Sequence, residues 1–427
     1  MEPGTALFLI FAVLLVLNVP IAVSLGASSL VALYLMGVPF SMYPMVIYAA
    51  MARFTLLAIP FFIMAGIIME KAGISHRLIK LANTAVGHLP AGLAIVAVIT
   101  SCFFAAISGS GPATVAALGT MLIPAMVKAG YDVGMSSALL ASSGAIGIII
   151  PPSIAFVIYG VVAEVSIGKL FIAGIVPGLL IGLGFIIASL LVTMKKQYGL
   201  QDKAPFRETW AAFKDALWGL MTPVIILGGI YGGVFTPTEA AAVAVVYGLF
   251  VGVFIYREIR WKEFVRVLVD SAVSSAVVML IVSTASLFAW VITTEGITET
   301  AGQLILSITQ NKYMILLLIN ILLLIAGCFI DAISAMYILV PILLPLINFI
   351  GYDPLVFGVV FTANMAIGQV TPPVGVNLYV ACGIAGIPIK TLTRALPPFL
   401  IASLVALMLI TYFPELSLWL PNLMGLK

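Results

Sequence analysis

The chain has 427 residues, 63% hydrophobic and only 8% charged, with a formal net charge of +3. Apolar stretches of membrane-spanning length recur from end to end, so composition points to a polytopic membrane protein and gives no footing to a soluble domain or a nucleic-acid-binding face. Three cysteines without paired spacing, two histidines outside any metal motif and the lack of a Gly-x-x-x-x-Gly-Lys-Ser/Thr loop argue against a disulfide framework, a metal-ligand cluster and ATP-driven work.

The first apolar unit covers residues 5–36 and is interrupted at Asn18-Val-Pro20, which predicts two short helices meeting at a break. No basic leader or cleavage signal precedes it, so it reads as a membrane segment. A span over 54–69 follows, marked at its start by Arg53. Residues 75–81, Ser-His-Arg-Leu-Ile-Lys-Leu, predict an amphipathic piece with Arg77 and Lys80 toward lipid headgroups. Residues 92–127 hold a central Ser108-Gly-Ser-Gly-Pro112 break and predict a re-entrant hairpin. A helix over 136–162, broken at Pro151-Pro152, and a span over 170–194 complete the first half, and 195–214 is the only polar linker of any length.

The second half repeats this order. Residues 219–255 are interrupted at Phe235-Thr-Pro237, where Thr236-Pro-Thr-Glu239 has the layout of a capping box that would account for Glu239. A crossing over 265–293, a hairpin over 313–350, a broken helix over 355–382 and a span over 396–413 follow. The echo is literal: Ala145/Ala366, Ile146/Ile367, Gly147/Gly368, Pro151/Pro372 and Pro152/Pro373 are identical pairs, and 366 − 145 and 372 − 151 both give 221. Pro124/Pro345, Gly130/Gly351, Tyr131/Tyr352 and Asp132/Asp353 keep the same offset, so hairpin and broken helix repeat together.

A double proline inside an apolar helix has a definite cost. Pro151 and Pro152 lack N–H groups, so the carbonyls of Gly147 and Ile148 lose their helical partners, as do those of Gly368 and Gln369 in the twin. Ile150 and Thr371, which precede the prolines, are pushed out of the helical region. In lipid such carbonyls need partners, and a dehydrated cation is one; a kink repaired by neighbouring helices is the other reading.

Charge placement orients the halves. Arg257, Arg260, Lys262 and Arg266 crowd one loop, whereas the equivalent 41–50 segment has no Lys or Arg; conversely, Arg77 and Lys80 have no basic counterpart in 298–310. Basic loops stay cytoplasmic, so equivalent loops lie on opposite sides and the repeats are inverted. Five crossings and one hairpin per half would place the linker in the cytoplasm and both termini outside. Inverted repeats with broken helices at their interface are a recurring plan for secondary transporters.

Candidate site residues follow. Ser108 and Ser110 bring hydroxyls to the first hairpin tip, and the helix after Pro112 offers free N–H groups to an anion. Asp331 occupies the position equivalent to Ser110, deep in an apolar hairpin, where it is either a site acid or an N-cap. Asn364, Gln369, Thr371 and Asn377 cluster at the second Pro-Pro pair, and Ser142, Ser143 and Ser153 flank the first. Hydroxyls and amides beside freed carbonyls suit a hard monovalent cation, although each alone also serves as helix-packing glue. No Lys or Arg lies inside the hairpins or broken helices; Glu70, Glu164 and Asp270 fall near span ends and read as interfacial.

The Ser108-Gly-Ser-Gly-Pro112 tip, the paired Ala-Ile-Gly-x-x-x-Pro-Pro runs and Thr371-Pro-Pro-Val-Gly-Val-Asn377 resemble the large membrane subunit of tripartite ATP-independent periplasmic (TRAP) transporters for organic acids, from the first helix to the last. The resemblance implies an all-α membrane fold of two inverted repeats working as an elevator. The scaffold would comprise 1–87 and 217–307, the transport domain 88–195 and 308–427, and the linker 196–216. It implies coupling to two or more Na⁺ ions, one site around Ser108, Ser110, Gly144 and Gly147 and a second around Gly327, Thr362, Gly368 and Thr371. Ser110, Ser153, Asp331 and Asn377 would lie near a small anionic substrate. The implied partners are a separate small membrane subunit of about four spans and a periplasmic binding protein, in the bacterial inner membrane. The whole sequence most resembles the sialic-acid members, and C4-dicarboxylate systems share every motif named. A passive channel, an intramembrane enzyme and a stand-alone carboxylate symporter are the rival readings. The first lacks a polar path along its length, and the second lacks a histidine or paired carboxylates at a broken helix.

Overall fold

The computed structural model describes residues 2–193 and 202–425, and every regular element among them is helical. The first half comprises α1 (Pro3–Val16), α2 (Ile21–Leu35), α3 (Met42–Met51), α4 (Ala58–Lys71, entered through a 3₁₀ turn at Phe54–Leu57) and α5 (Ile74–Val86). Next come the pair α6 (Gly92–Ser108) and α7 (Gly111–Lys128), the interrupted α8 (Val133–Ala145) and α9 (Ile154–Val162), and α10 (Ile167–Thr193). The second half holds α11 (Phe206–Tyr231), α12 (Pro237–Phe250, running into a π turn at Val251–Ile255), α13 (Trp261–Thr294) and α14 (Ile297–Ile308). The pair α15 (Lys312–Gly327) and α16 (Ala332–Phe349) precedes α17 (Pro354–Gly368), α18 (Val376–Ala385), α19 (Ile389–Ala395), α20 (Pro397–Tyr412) and α21 (Glu415–Leu423). Among the described residues seven helices are long and apolar enough to cross a membrane, or up to nine when each bent pair counts as one span.

Element bounds keep the sequence offset where the motifs do. Helix α16 starts and ends 221 residues after α7, since 332 − 111 and 349 − 128 agree, and α17 starts 354 − 133 = 221 after α8. Local chemistry sets these starts. Asp132 and Asp353 cap α8 and α17 with their carboxylates, accepting from the N–H groups of Met135 and Leu355. The break after α1 turns at Asn18, which adopts φ 60°, and Thr236 and Glu239 form the full capping box of α12.

Several elements depart from the sequence reading. Of the polar 195–214 segment, residues 195–201 lie outside the described residues, while Phe206 onward is already helix α11. Helices α3, α14, α19 and α21 are additional to the expected spans; all four are short, with 7 to 12 residues, so spanning-length criteria pass over them. Arg77 does not face headgroups. Its side chain is 14% exposed, paired with Asp215 at 3.1 Å and Glu258 at 3.6 Å, and its guanidinium lies 3.7 Å from the Tyr256 ring centroid. Amphipathic helix α5 thus clamps α11 to the loop before α13 instead of lying free on the bilayer.

The two interrupted helices cross in the interior. Tyr159 of α9 is fully buried, donates its hydroxyl to the Pro354 carbonyl at 2.7 Å and packs edge-on against Phe357. A Cβ on Gly358 would fall 2.5 Å from the Tyr159 ring, so the absence of a side chain there is what admits the tyrosine. Between apolar helices in lipid, close packing of this kind carries the association.

Candidate functional site

A cavity of about 280 Å³ lies where both hairpin tips meet the first interrupted helix. Its walls are Ser108–Gly111 and Ala113 of the first tip, Asp331–Ile333 of the second, Ile148 and Ile154 beside the first break, and Gln369 of the second break. Helix α4 closes it with Ile63, Gly66, Ile67 and Glu70, and α13 with Ser274 and Val278. Three helices begin here, and their N-caps are Ser110 for α7, Ser153 for α9 and Asp331 for α16. Three of the four residues singled out as substrate ligands, all but Asn377, are therefore N-cap residues, which concentrates helix-dipole positive ends on one cavity.

The three caps differ in what they leave free. Asp331 accepts from the N–H groups of Ile333 at 2.9 Å and Ser334 at 3.1 Å, and from the Ser334 hydroxyl at 2.6 Å. It is an N-cap, and it also lines the cavity. Ser153 is fully buried; its hydroxyl donates to the Ile148 carbonyl at 2.5 Å and accepts from Phe156 N–H at 3.4 Å, so it supports the wall without lining it. Ser110 makes no side-chain cap bond, so the first-turn N–H groups of Gly111 and Ala113, two residues that line the cavity, have no side-chain cap. The first turn of α7 thus has the chemistry that suits an anion.

The proposed first cation group converges. A Cβ on Gly147 would lie 2.8 Å from the Ser110 carbonyl oxygen and 3.0 Å from Thr114 Oγ1, and one on Gly144 would lie 3.3 Å from the Gly111 carbonyl oxygen. Ser108 and Thr114 hydroxyls are 2.8 Å apart, and Thr114 donates to the Ser110 carbonyl at 2.8 Å. In the second group Gly327 and Gly368 touch backbone to backbone. Thr362 and Thr371 donate instead to carbonyls of their own segment, those of Gly358 at 2.8 Å and Ile367 at 2.7 Å. Asn377 is fully buried behind the cavity, with Nδ2 on the Ala141 carbonyl at 3.1 Å.

Three of the four carbonyls expected to be orphaned by the prolines have protein partners. Ile148 receives Ser153, Gly368 receives the Thr371 N–H at 3.1 Å, and Gln369 receives the Asn377 N–H at 3.1 Å. Each carbonyl keeps a second lone pair, so the repair lowers the need for a cation without removing the capacity to bind one. Among the candidate residues, buried oxygens that do lack partners are the Oε1 of Gln369, the Oδ1 atoms of Asn364 and Asn377, and the Ser142 hydroxyl. Neutral oxygens of this kind fit a monovalent hard cation.

Glu70 stands at the end of its span, as the sequence reading has it, and it also lines the cavity. Ile63, Gly66, Ile67 and Glu70 share one face of α4 by their spacing, and Gly66 admits the tip, since a Cβ there would meet the Ser108 Cα at 3.2 Å. That periodicity was the available signal. Ser274 of α13 had none.

The Tripartite ATP-independent periplasmic transporter, DctM component, family model matches residues 8–416. The chain is 46% identical to an isethionate TRAP transporter permease protein of Oleidesulfovibrio alaskensis over 98% of its own length and 66% of that protein's, so it spans just under two thirds of that relative. It is 46% identical to a C4-dicarboxylate TRAP transporter large permease protein of Pseudomonas aeruginosa over 88% of each chain, and 41% identical to a sialic acid large permease protein of Vibrio cholerae over 87% of each. The fold is similar to that of the Alcanivorax borkumensis YdaH transporter, with a TM-score of 0.63, 16% identity and 98% of both chains covered. The chain belongs to the DctM family, the large permease component of tripartite ATP-independent periplasmic transporters.

Proposed function

We propose that this permease carries out Na⁺-coupled secondary uptake of a small organic acid across the bacterial inner membrane. The observation that carries this reading is the charge balance of the cavity. Its lining holds two carboxylates, Glu70 and Asp331, and no Lys or Arg. An organic anion entering that environment gains from the N-terminus of α7 but meets the Asp331 carboxylate and Glu70, the latter paired with Lys71 at 3.6 Å, and bound monovalent cations would offset the negative charge that remains. Ser108, Ser110, Gly144 and Gly147 would supply oxygens to one ion, and Gly327, Thr362, Gly368 and Thr371 to another.

The transport cycle we infer is an elevator. The hairpins and interrupted helices would slide against a scaffold that includes α4 and α13, carrying the cavity between faces. Orientation follows from charge. Arg77 contacts Glu258 and Tyr256 in the loop before α13, and Lys80 and Lys128 line one surface depression, so the basic loops gather on one face, read as cytoplasmic. On this orientation both termini are periplasmic and the repeats are inverted.

A small four-span subunit and a periplasmic binding protein are the proposed partners. The relatives' named cargoes share an anionic head but differ in body, so C4-dicarboxylates and sulfonates stand beside the sialic acid favoured by sequence resemblance. The test is reconstitution with both partners in liposomes. Uptake of a labelled organic acid should require an inward Na⁺ gradient; uptake indifferent to Na⁺ would rule the coupling out.

A further inference from the structure

A second cavity, of about 620 Å³, lies between α3, the C-terminal end of α9, the last turns of α13 and α16. Three helices line both cavities. Helix α9 gives Ile154 and Ala155 to the first and Val161 and Val162 to the second; α13 gives Ser274 and Val278, then Ser286 to Thr294; α16 gives Ala332 and Ile333, then Tyr337. The step from Val278 to Ser286 is about 12 Å along the helix axis, and from Ile333 to Tyr337 about 6 Å. The cavities therefore stand in series along one interface.

Their charges are opposite. The first has Glu70 and Asp331; Arg53 is the only charged residue lining the second. Nη1 of Arg53 donates to the Val161 carbonyl at 3.0 Å, and among the described residues no carboxylate pairs with the guanidinium, although Glu164 lines the adjoining depression. The hydroxyls of Ser286, Thr293 and Thr294 donate back into α13, to the carbonyls of Val282, Ala289 and Trp290. Among the Arg53 and α13 groups, the remaining guanidinium N–H groups are thus the charged donors available to an anion, beside the Trp290 indole N–H.

We propose that the Arg53 cavity is a capture site for the organic anion, on the face opposite the cytoplasmic loops, from which the cargo passes to the Ser110–Asp331 cavity. This rests on the transport reading above. Arg53 attracts the anionic head, and Trp290 and Tyr337 offer rings to the body of the molecule. The positive charge missing from the first cavity stands one stage earlier on the path.

Trp290 reports on this site directly. In a full-length protein retaining Trp290 as its only tryptophan, fluorescence would be titrated with 2-bromoethanesulfonate, and with 2-bromoethanol as the uncharged control. Quenching by the sulfonate should saturate, while quenching by the alcohol should stay linear. Arg53→Gln should weaken the sulfonate affinity about tenfold or more, and Arg53→Lys, which keeps the charge, by about threefold or less. Linear sulfonate quenching in the parent, or equal affinity in Arg53→Gln at unchanged thermal stability, would overturn the proposal. So would loss of saturation on adding phosphatidylglycerol, which would assign Arg53 to a lipid headgroup. Proteoliposome uptake separates the two readings: saturable quenching without Na⁺-driven uptake would defeat the transport reading, and uptake with linear quenching would defeat the capture site alone.

Discussion

Gly368 and Gly327 meet backbone to backbone. A Cβ built on Gly368 would stand 2.5 Å from the Gly327 carbonyl oxygen and 2.6 Å from its carbonyl carbon and Cα, whereas one on Gly327 would find the Gly368 Cα at 3.2 Å. Backbone atoms cannot swing aside as a side chain does, so Gly368→Ala should force the second hairpin off the second interrupted helix. An overpacking loss of about 1–3 kcal/mol is expected. Gly327→Ala should cost less. The apparent melting temperatures in detergent should fall in that order, and a reversed order would refute the contact.

Asp331 carries two roles that substitution can separate. Its carboxylate caps α16, and its position lines the cavity. Asp331→Asn keeps an acceptor for the Ile333 and Ser334 N–H groups, so its melting temperature should stay close to that of the parent. Asp331→Ala removes the cap at a cost of about 1 kcal/mol. Uptake should be lost in both. Normal uptake by a stable Asp331→Asn protein would reduce the residue to a cap.

Ser153 and Ser110 look alike in sequence and should behave oppositely. Ser153→Ala strips the fully buried Ile148 region of a donor and α9 of its cap, a loss of about 1–3 kcal/mol. Ser110→Ala removes a hydroxyl that makes no cap bond, so stability should hold while uptake falls. Thermal melts and initial uptake rates on the same preparations would distinguish them; a stable, inactive Ser153→Ala would reassign that hydroxyl to the substrate.

What sequence could read depended on whether the signal was local. The Pro-Pro breaks, the tip at Ser108–Pro112 and the Thr236–Glu239 box are each set by chemistry within a few residues, and their positions match the helix bounds. The 221-residue offset reached further because it compares the chain with itself. Arg77 was misplaced because amphipathicity names a polar face without naming its partner, and Asp215 and Glu258 lie far away in sequence. The cavity-lining position of Glu70 was not legible, because closeness to a span end says nothing about the hairpin tip packed on Gly66. The repair of the Ile148 carbonyl by Ser153 needed backbone geometry, since the same serine five residues on is compatible with a free hydroxyl.

Sodium linkage gives the last prediction. A ligand bound only by the folded protein stabilises it by about 1.4 kcal/mol for each tenfold rise in concentration above Kd, per ion. If two ions bind, the slope of stability against log Na⁺ should approach twice that value, with choline as the control cation. Gly147 and Gly368 test the groups independently. A Cβ on Gly147 would press on the carbonyl oxygen of Ser110, a residue proposed for the first ion, and on the neighbouring Thr114 Oγ1, while Gly368→Ala disturbs the second. Each single variant should lose one ion's share of the slope beyond its own destabilisation in choline. Parallel curves for parent and variants would remove both glycines from the cation sites, and a flat parent curve would remove sodium altogether.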